Sequence, residues 1–220
     1  MSIDEKPEIP KSFWKENPLH KDSFARLSYM MMIYLASDNA KQMMAGIINK
    51  NMTSDHVDTY FEESEKIRKL SSAEEAVKFM RQGCAGLLLN NLAEKVEDLE
   101  EDGEDVVSLI LQRYQTSTQK QFIDTAAYVL SQLEPDFIFD LERNFSEIRS
   151  PYARSIACIL FGAFDYKGAI PLLMDEYQSM KNGDYDDYGG PYIDKKSGLG
   201  GGYEEGPLLA LRLLYEKPIT

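Results

Sequence analysis

Apolar residues along most of the chain recur at spacings of three and four, the pattern of a helix that buries one face. After residue 103 this pattern divides into five segments, at residues 104–116, 119–133, 136–148, 151–164 and 169–181. Only two to four residues separate these segments, so neighbouring helices are expected to pack antiparallel. A last segment, residues 204–216, supplies the partner of the fifth.

The first hundred residues are also predicted to be mainly helical, and they divide into an arm and a helical region. Residues 1–21 contain three prolines, which prevent a continuous helix and predict an extended arm anchored by Trp14. Residues 22–103 are predicted to form an N-terminal helical region, followed by a repeat region at 104–220.

Two helices of the N-terminal region are predicted in detail. One starts near Ser54 and uses Phe61 and Ile67 on its apolar face. The other starts at the capping box Ser72–Glu75 and runs as one long helix until Gly103 ends it.

Start signals mark two helices of the repeat region. Pro135 and Pro151 each stand where a first-turn proline is tolerated, because that amide has no helical acceptor. Ser150 precedes Pro151 and is a good N-cap residue.

An internal repeat indicates how these helices assemble. The segment Ala126–Leu130 recurs as Ile156–Leu160, and more faintly as Leu209–Leu213. Small alanines on an inner helix allow the next helix pair to stack closely, as in a solenoid.

One stretch of this region resembles the HEAT-like repeat that is also found in phycobilin lyase proteins. The residues that carry the resemblance are Arg154, Ala157, Gly162, Phe164, Asp165, Ala169, Ile170, Pro171 and Leu173. The aspartate stands one place earlier than in the family pattern. The resemblance implies an all-α fold, an α-solenoid of antiparallel helix pairs, and no particular activity.

The charge of the chain is strongly negative, at -13, and is concentrated in the middle. Residues 51–107 carry 15 acidic side chains against 6 basic ones. Such a field repels phosphate backbones and anionic membranes, which argues against direct binding of nucleic acid or membrane. It favours a basic protein as the partner, although an acidic surface can also serve solubility alone.

A loop rich in glycine and tyrosine, residues 183–203, interrupts the repeat. It holds seven of the 14 glycines and four of the 13 tyrosines. A long loop of this composition is typical either of a recognition surface or of a tolerated insertion. The candidate partner-binding residues, from this loop and from the acidic segment, are Tyr185, Asp186, Asp187, Tyr188, Tyr192, Tyr203, Glu97, Asp98, Glu100 and Glu101.

No motif for catalysis, metal or cofactor stands out. Residues 98–103 imitate the start of a calcium loop, but Leu109 replaces the required glutamate. The glycine run at 198–202 lacks the spacing of a nucleotide-binding loop. Cys84 and Cys158 both lie on apolar helical faces and are expected in the core, which favours a reducing, cytoplasmic location.

The sequence therefore favours a non-catalytic protein-binding module without metal or cofactor. Among such modules, small acidic bacterial immunity proteins that neutralise a basic toxin nuclease are similar in size and charge. Two alternatives stay open: a small-ligand-binding or enzymatic HEAT-like protein, and an adaptor subunit of a cytosolic complex. A pocket formed by Tyr185, Tyr188, Arg154 and a carboxylate would favour the ligand-binding alternative.

Overall fold

Helices account for the regular structure of every described part of the chain. The computed structural model describes Phe13 and residues 54–82, 88–182 and 203–215, with side chains from Phe61 onward in the first of these ranges. Within these ranges there are α-helices and short 3₁₀ turns, and no strand. The all-α prediction is thus confirmed for the described residues.

Nine α-helices lie in the described ranges. In chain order they are α1 (Ser54–Arg68), α2 (Ala73–Met80), α3 (Leu89–Glu101), α4 (Val106–Thr116), α5 (Lys120–Gln132), α6 (Phe137–Arg143), α7 (Pro151–Ala163), α8 (Ile170–Asn182) and α9 (Glu205–Tyr215). Short 3₁₀ turns at Phe145–Glu147 and Lys167–Ala169 follow α6 and precede α8. These bounds confirm the six helices predicted after residue 103 to within a few residues. The helices predicted before residue 50, Trp14 and Cys84 lie outside the described residues.

The single long helix predicted from residue 72 to residue 102 is wrong. Helix α2 ends at Met80 with Arg81 as its C-cap, and α3 begins only at Leu89. The sequence between them contains Gly83 and Gly86. Each glycine lowers helix propensity by about 1 kcal/mol relative to alanine, and the apolar stripe overruled that signal in the prediction.

The predicted capping box at the start of α2 forms only in part. The hydroxyl of Ser72 accepts a hydrogen bond from the Glu75 backbone N–H at 3.3 Å, as predicted. The Glu75 carboxylate accepts bonds from the N–H and hydroxyl of Ser71 instead of the N–H of Ser72. These bonds lower the pKa of Glu75.

Helix α7 starts as predicted, and α6 starts within one residue of its predicted position, although Pro135 is not in its first turn. Ser150 is buried, and its hydroxyl accepts from the Ala153 N–H at 3.4 Å. Pro151 is the first residue of α7. Pro135, in contrast, lies in the turn before Asp136, the N-cap of α6, and is not part of the helix.

Two helices end in the same hydrogen-bond pattern but with different residues in the left-handed position. At the end of α3, Gly103 has φ +89° and its N–H donates to Glu100, while the Glu104 N–H donates to Leu99. This is a Schellman motif, which favours glycine because it has no Cβ. At the end of α7 the same bonds form around Asp165 at φ +49°, a conformation that aspartate tolerates better than most residues.

The described residues divide into two units, with the division between Ala153 and Arg154 inside α7. In the first unit, each helix packs against the next but one: α1 against α3, α2 against α4, α3 against α5, and α4 against α6. Successive helices α2 to α5 also contact one another. The core of this unit is formed by apolar side chains such as Met80, Leu92, Val96, Ile110 and Leu130, all nearly inaccessible to solvent.

The second unit is built on α8, α9 and the part of α7 from Arg154 onward. Helix α8 packs along α9, and Phe13 lies edge-on to Tyr177 of α8 with ring centroids 5.6 Å apart. Helix α7 carries almost no solvent face here, because every residue from 155 to 162 is buried. A helix that is apolar on all sides in this way belongs to the core.

Backbone contacts hold α9 against α7. A Cβ on Gly206 would overlap the carbonyl oxygen and hydroxyl of Ser155, and one on Gly162 would lie 2.7 Å from the Ala210 Cα. Both positions therefore require glycine for close approach. Gly206 at the start of α9 lies next to Ser155, and Ala210 further along lies next to Gly162. Residue numbers therefore increase in the same direction along both helices, so α7 and α9 are parallel.

Candidate protein-binding surface

The acidic residues predicted to bind a partner lie at the carboxyl-terminal end of α3. Glu97, Asp98 and Glu101 are exposed, whereas Glu100 is only half-exposed. The apolar face of the same helix, with Leu92, Val96 and Leu99, is buried. The helix therefore presents its carboxylates to solvent by its ordinary amphipathic period.

Glu100 does not belong to the exposed set, because it caps the next helix. Its Oε1 accepts a hydrogen bond from the N–H of Val107 at 2.6 Å, in the first turn of α4. Asp105, the N-cap of α4, accepts from the Ser108 N–H at 3.3 Å. Two carboxylates thus satisfy first-turn amides of α4 and complement the positive end of its dipole.

Glu104 plays the same part for a helix far away in sequence. Its Oε2 accepts from the N–H of Ala73 at 2.9 Å, at the start of α2. This bond connects the α3–α4 turn to the first residue of α2, and it complements the contact between α2 and α4. Neither Glu100 nor Glu104 can be recognised as a cap from sequence alone, since tertiary packing places the backbone N–H groups that donate to them.

The other three predicted carboxylates have no such structural role among the described residues. Glu97, Asp98 and Glu101 form no ion pair there, and the last turn of α3 carries no basic side chain. The end of a helix has a partial negative charge, so each acidic group near it costs about 0.3–1 kcal/mol at low salt. We call these three side chains the α3 carboxylates; among the described residues of the first unit, none forms an ion pair with them.

The Tyr/Gly loop is represented by its last residue only. Tyr203 is half-buried, and its carbonyl oxygen accepts a hydrogen bond from the Ser155 hydroxyl at 2.7 Å. Its neighbour Glu205 is buried, as is Gly206. The other five predicted loop residues lie outside the described residues: Tyr185, Asp186, Asp187, Tyr188 and Tyr192.

Arg154, which the ligand-binding alternative places in a pocket with Tyr185 and Tyr188, pairs with a residue of a neighbouring helix, and the two tyrosines lie outside the described residues. Its guanidinium forms a bidentate pair with the Glu176 carboxylate of α8, with 3.0 Å between Nε and Oε1. The side chain of Glu176 is only 5% exposed, and that of Arg154 is 20% exposed. Arg154 therefore serves the packing of α7 against α8.

Cys158, one turn along α7 from Arg154, is a core residue. It is completely buried and forms no disulfide. Burial, together with the nearby negative charge of Glu176, raises the pKa of its thiol well above the usual value. Such a thiol is a poor nucleophile, because the thiolate is the reactive form.

Cavities border the helices of the first unit, and the sequence predicts none of them. A cavity of about 430 Å³ lies between α1 and α3 and includes Asp98, Lys95 and Phe61 in its lining. Phe61, predicted on the apolar face of α1, is 64% exposed, whereas Ile67 on the same helix is buried. The α1–α3 contact instead contains a hydrogen bond from the Asn91 side-chain amide to the Ser64 hydroxyl at 3.0 Å.

The second cavity has a volume of about 270 Å³ and a basic lining that includes Arg81 and Arg113. These two residues are far apart in sequence and belong to no motif. Only the packing of α2 against α4 brings them to one place.

Comparison with known proteins finds no match for this chain, whether among protein-family models, curated proteins or solved structures.

In the described ranges, no group of three or more histidine, cysteine, aspartate or glutamate side chains is arranged to hold a metal ion. No helix in those ranges is both long enough and apolar enough to cross a membrane.

Proposed function

We propose that this chain is a non-catalytic protein-binding module that binds a basic protein through the α3 carboxylates. The observation that carries the proposal is the contrast within one acidic segment. Glu100 and Glu104 are used as helix caps, whereas Glu97, Asp98 and Glu101 stand exposed at the helix end where negative charge is least favourable. An unfavourable charge that lowers local stability without contributing to the fold is typical of a functional surface.

Lysine and arginine side chains of the partner would supply the missing counter-charges. Such complementary charges accelerate encounter and select the partner more than they tighten the final complex. The Tyr/Gly loop is proposed as the second contact, in which Tyr185, Tyr188 and Tyr192 provide stiff aromatic contact area. Asp186 and Asp187 would extend the negative charge there.

The fold proposed for this module is a short HEAT-like α-solenoid. Contacts between next-but-one helices in the first unit support it, because stacked helix pairs place equivalent helices side by side. The common direction of α7 and α9 in the second unit supports it too, since the first and third helices of an antiparallel series are parallel. The fold itself specifies no activity.

The specialised form of the proposal is an immunity-type inhibitor of a basic toxin nuclease. A nuclease groove that binds phosphates is lined by cationic side chains. Exposed carboxylates on a rigid helix can occupy such a groove in place of the phosphates. The net charge of -13 agrees with a basic target.

Binding to purified basic nuclease domains tests the proposal, beginning with any toxin encoded beside this gene. The binding variant is the triple change Glu97→Gln, Asp98→Asn and Glu101→Gln, which leaves the cap Glu100 intact. The expected result is a loss of affinity of at least about tenfold, mostly in the association rate and smaller at high salt.

A second triple variant controls for net charge, with Glu134→Gln, Asp136→Asn and Glu147→Gln. These side chains are also exposed, and they lie around α6. If both triple variants lose affinity equally, only the total charge matters and the α3 surface is wrong. If no basic nuclease domain binds the unmodified protein, the immunity-type form is wrong.

A further inference from the structure

The basic cavity lies where three helix ends meet in the first unit. Arg81 is the C-cap of α2, Arg113 stands in the last turn of α4, and Gln119 is the N-cap of α5. These residues line the cavity together with Phe122 and residues 116–118. Helix α2 packs against both α4 and α5, so the fold of this unit fixes the three ends.

The charge of this lining is opposite to that of the chain. The described lining residues include two arginines and no carboxylate, in a protein with 37 acidic and 24 basic side chains. In the described part of the chain, neither Arg81 nor Arg113 forms an ion pair. Helix carboxyl ends explain why basic side chains are stable at these positions. They do not explain why both guanidinium groups line one cavity without a counter-charge.

Neutral hydrogen-bonding groups complete the lining. Arg81 Nε donates to the Gln119 side-chain oxygen at 3.4 Å, which orients both groups. The hydroxyl oxygen of Ser117 accepts from the Gln119 N–H at 3.2 Å, so its hydrogen can still be donated to a ligand. The Gln119 side chain does not cap α5, and the positive end of that helix borders the cavity.

We propose that this cavity binds the phosphoryl group of a small ligand, with Arg81 and Arg113 as its charged partners. Guanidinium groups present a planar fork of donors that fits phosphate oxygens in pairs. Two of them match a doubly charged phosphate monoester better than a singly charged carboxylate. Phe122, buried beneath the cavity, provides apolar surface for a small organic part.

The size of the cavity restricts the ligand further. At about 270 Å³ it lies just below the usual range of about 300–1,000 Å³ for sites of drug-sized ligands. It therefore suits inorganic phosphate or a compact phosphate monoester. This inference is independent of the proposed protein-binding function, because it uses none of the α3 carboxylates.

Titration of the full chain with inorganic phosphate, phenyl phosphate and acetate, followed by calorimetry and NMR, tests the inference. Both phosphates should bind, and acetate should bind much more weakly. Arg81→Gln and Arg113→Gln should each weaken phosphate binding by about tenfold or more, because each removes a charge-assisted bond. Both side chains are exposed, so the variants should keep the fold, which circular dichroism checks.

The matched control is Arg143→Gln, which removes an exposed arginine outside the cavity. Tighter binding of phenyl phosphate than of inorganic phosphate would assign an organic monoester, and equal binding would assign free phosphate. The inference is overturned if neither phosphate binds, if acetate binds equally well, or if the cavity variants bind like Arg143→Gln. Should one cavity variant fail to fold, the other gives the same comparison.

Discussion

The two units of this protein both bury apolar side chains, but they differ in the polar and backbone contacts between their helices. In the first unit, carboxylates of the α3–α4 turn cap the starts of two helices, through Glu100 to Val107 and Glu104 to Ala73. In the second unit, helices meet through the Arg154–Glu176 pair and through the contact of Gly206 with Ser155. The first arrangement uses polar groups at helix ends, and the second uses buried contacts along helix faces.

This difference teaches how to interpret the acidic charge of the chain. Carboxylates close together in sequence divide into those that the fold requires and those that it does not. A count of acidic residues overestimates the surface available to a partner, since Glu100 and Glu104 accept bonds from the protein itself. In the second unit, the Glu176 carboxylate is likewise paired with Arg154, so this one carboxylate contributes to packing and not to an exposed surface.

The largest effect is expected from breaking the buried pair of the second unit. Arg154→Met should lower the free energy of unfolding by about 3–5 kcal/mol, because the Glu176 carboxylate is left buried without its partner. Urea denaturation measures the change. Arg143→Met, which breaks the exposed pair with Asp140, should cost less than about 1 kcal/mol. Equal losses in both variants would show that the Arg154–Glu176 pair is not buried in solution.

A smaller effect is expected from adding one methyl group between α7 and α9. In Gly206→Ala the new Cβ would lie well under 3.0 Å from the Ser155 carbonyl oxygen, so one helix must move. The free energy of unfolding should fall by about 1–3 kcal/mol, as for other overpacked sites.

Gly103→Ala is the control for the glycine change, since its Cβ would meet nothing within 4 Å. Only the left-handed φ of +89° opposes it, which costs about 1 kcal/mol. Thermal and urea unfolding of both variants measure how the cost of steric overlap at Gly206 compares with the cost of a positive φ at Gly103. A Gly206→Ala loss no greater than that of Gly103→Ala would contradict close backbone contact between α7 and α9.

The smallest effect distinguishes a capping carboxylate from an exposed one in the first unit. Glu104→Ala should lower the free energy of unfolding by about 0.5–2 kcal/mol and accelerate hydrogen exchange of the Ala73 amide. Glu101→Ala should not destabilise the protein and should raise the free energy of unfolding by about 0.3–1 kcal/mol at low salt, because its carboxylate makes no bond in the described residues and lies at the negative end of α3. Faster Ala73 exchange in both variants, or in neither, would remove the distinction.

The helices of the repeat region could be predicted from sequence because their signals are local. Apolar spacing, Ser150 and Pro151 all act within a few residues, and α7 begins where they indicate. The end of α2 at Met80 is not predicted, because the apolar spacing continues past Gly83 and Gly86. The exposure of Phe61 is not predicted either, because spacing shows which face of a helix a residue occupies and not what that face contacts.

The candidate site could be predicted only in part, for a related reason. The exposure of Glu97, Asp98 and Glu101 follows from their position opposite the apolar stripe of α3. The capping role of Glu104 depends on where α2 packs, and the basic cavity depends on three helix ends. Both the Glu104 cap and the basic cavity depend on tertiary contacts between residues distant in sequence. A single sequence contains no direct signal of such contacts.

The anchoring of α9 has a consequence for how the chain can change over time. Ser155 and Gly206 fix the register of that helix from its first turn, just after Tyr203. Insertions, deletions or wholesale replacement between residues 183 and 202 would then leave α9 where it is. Sequence changes confined to that segment are therefore expected to leave the helices on either side unchanged.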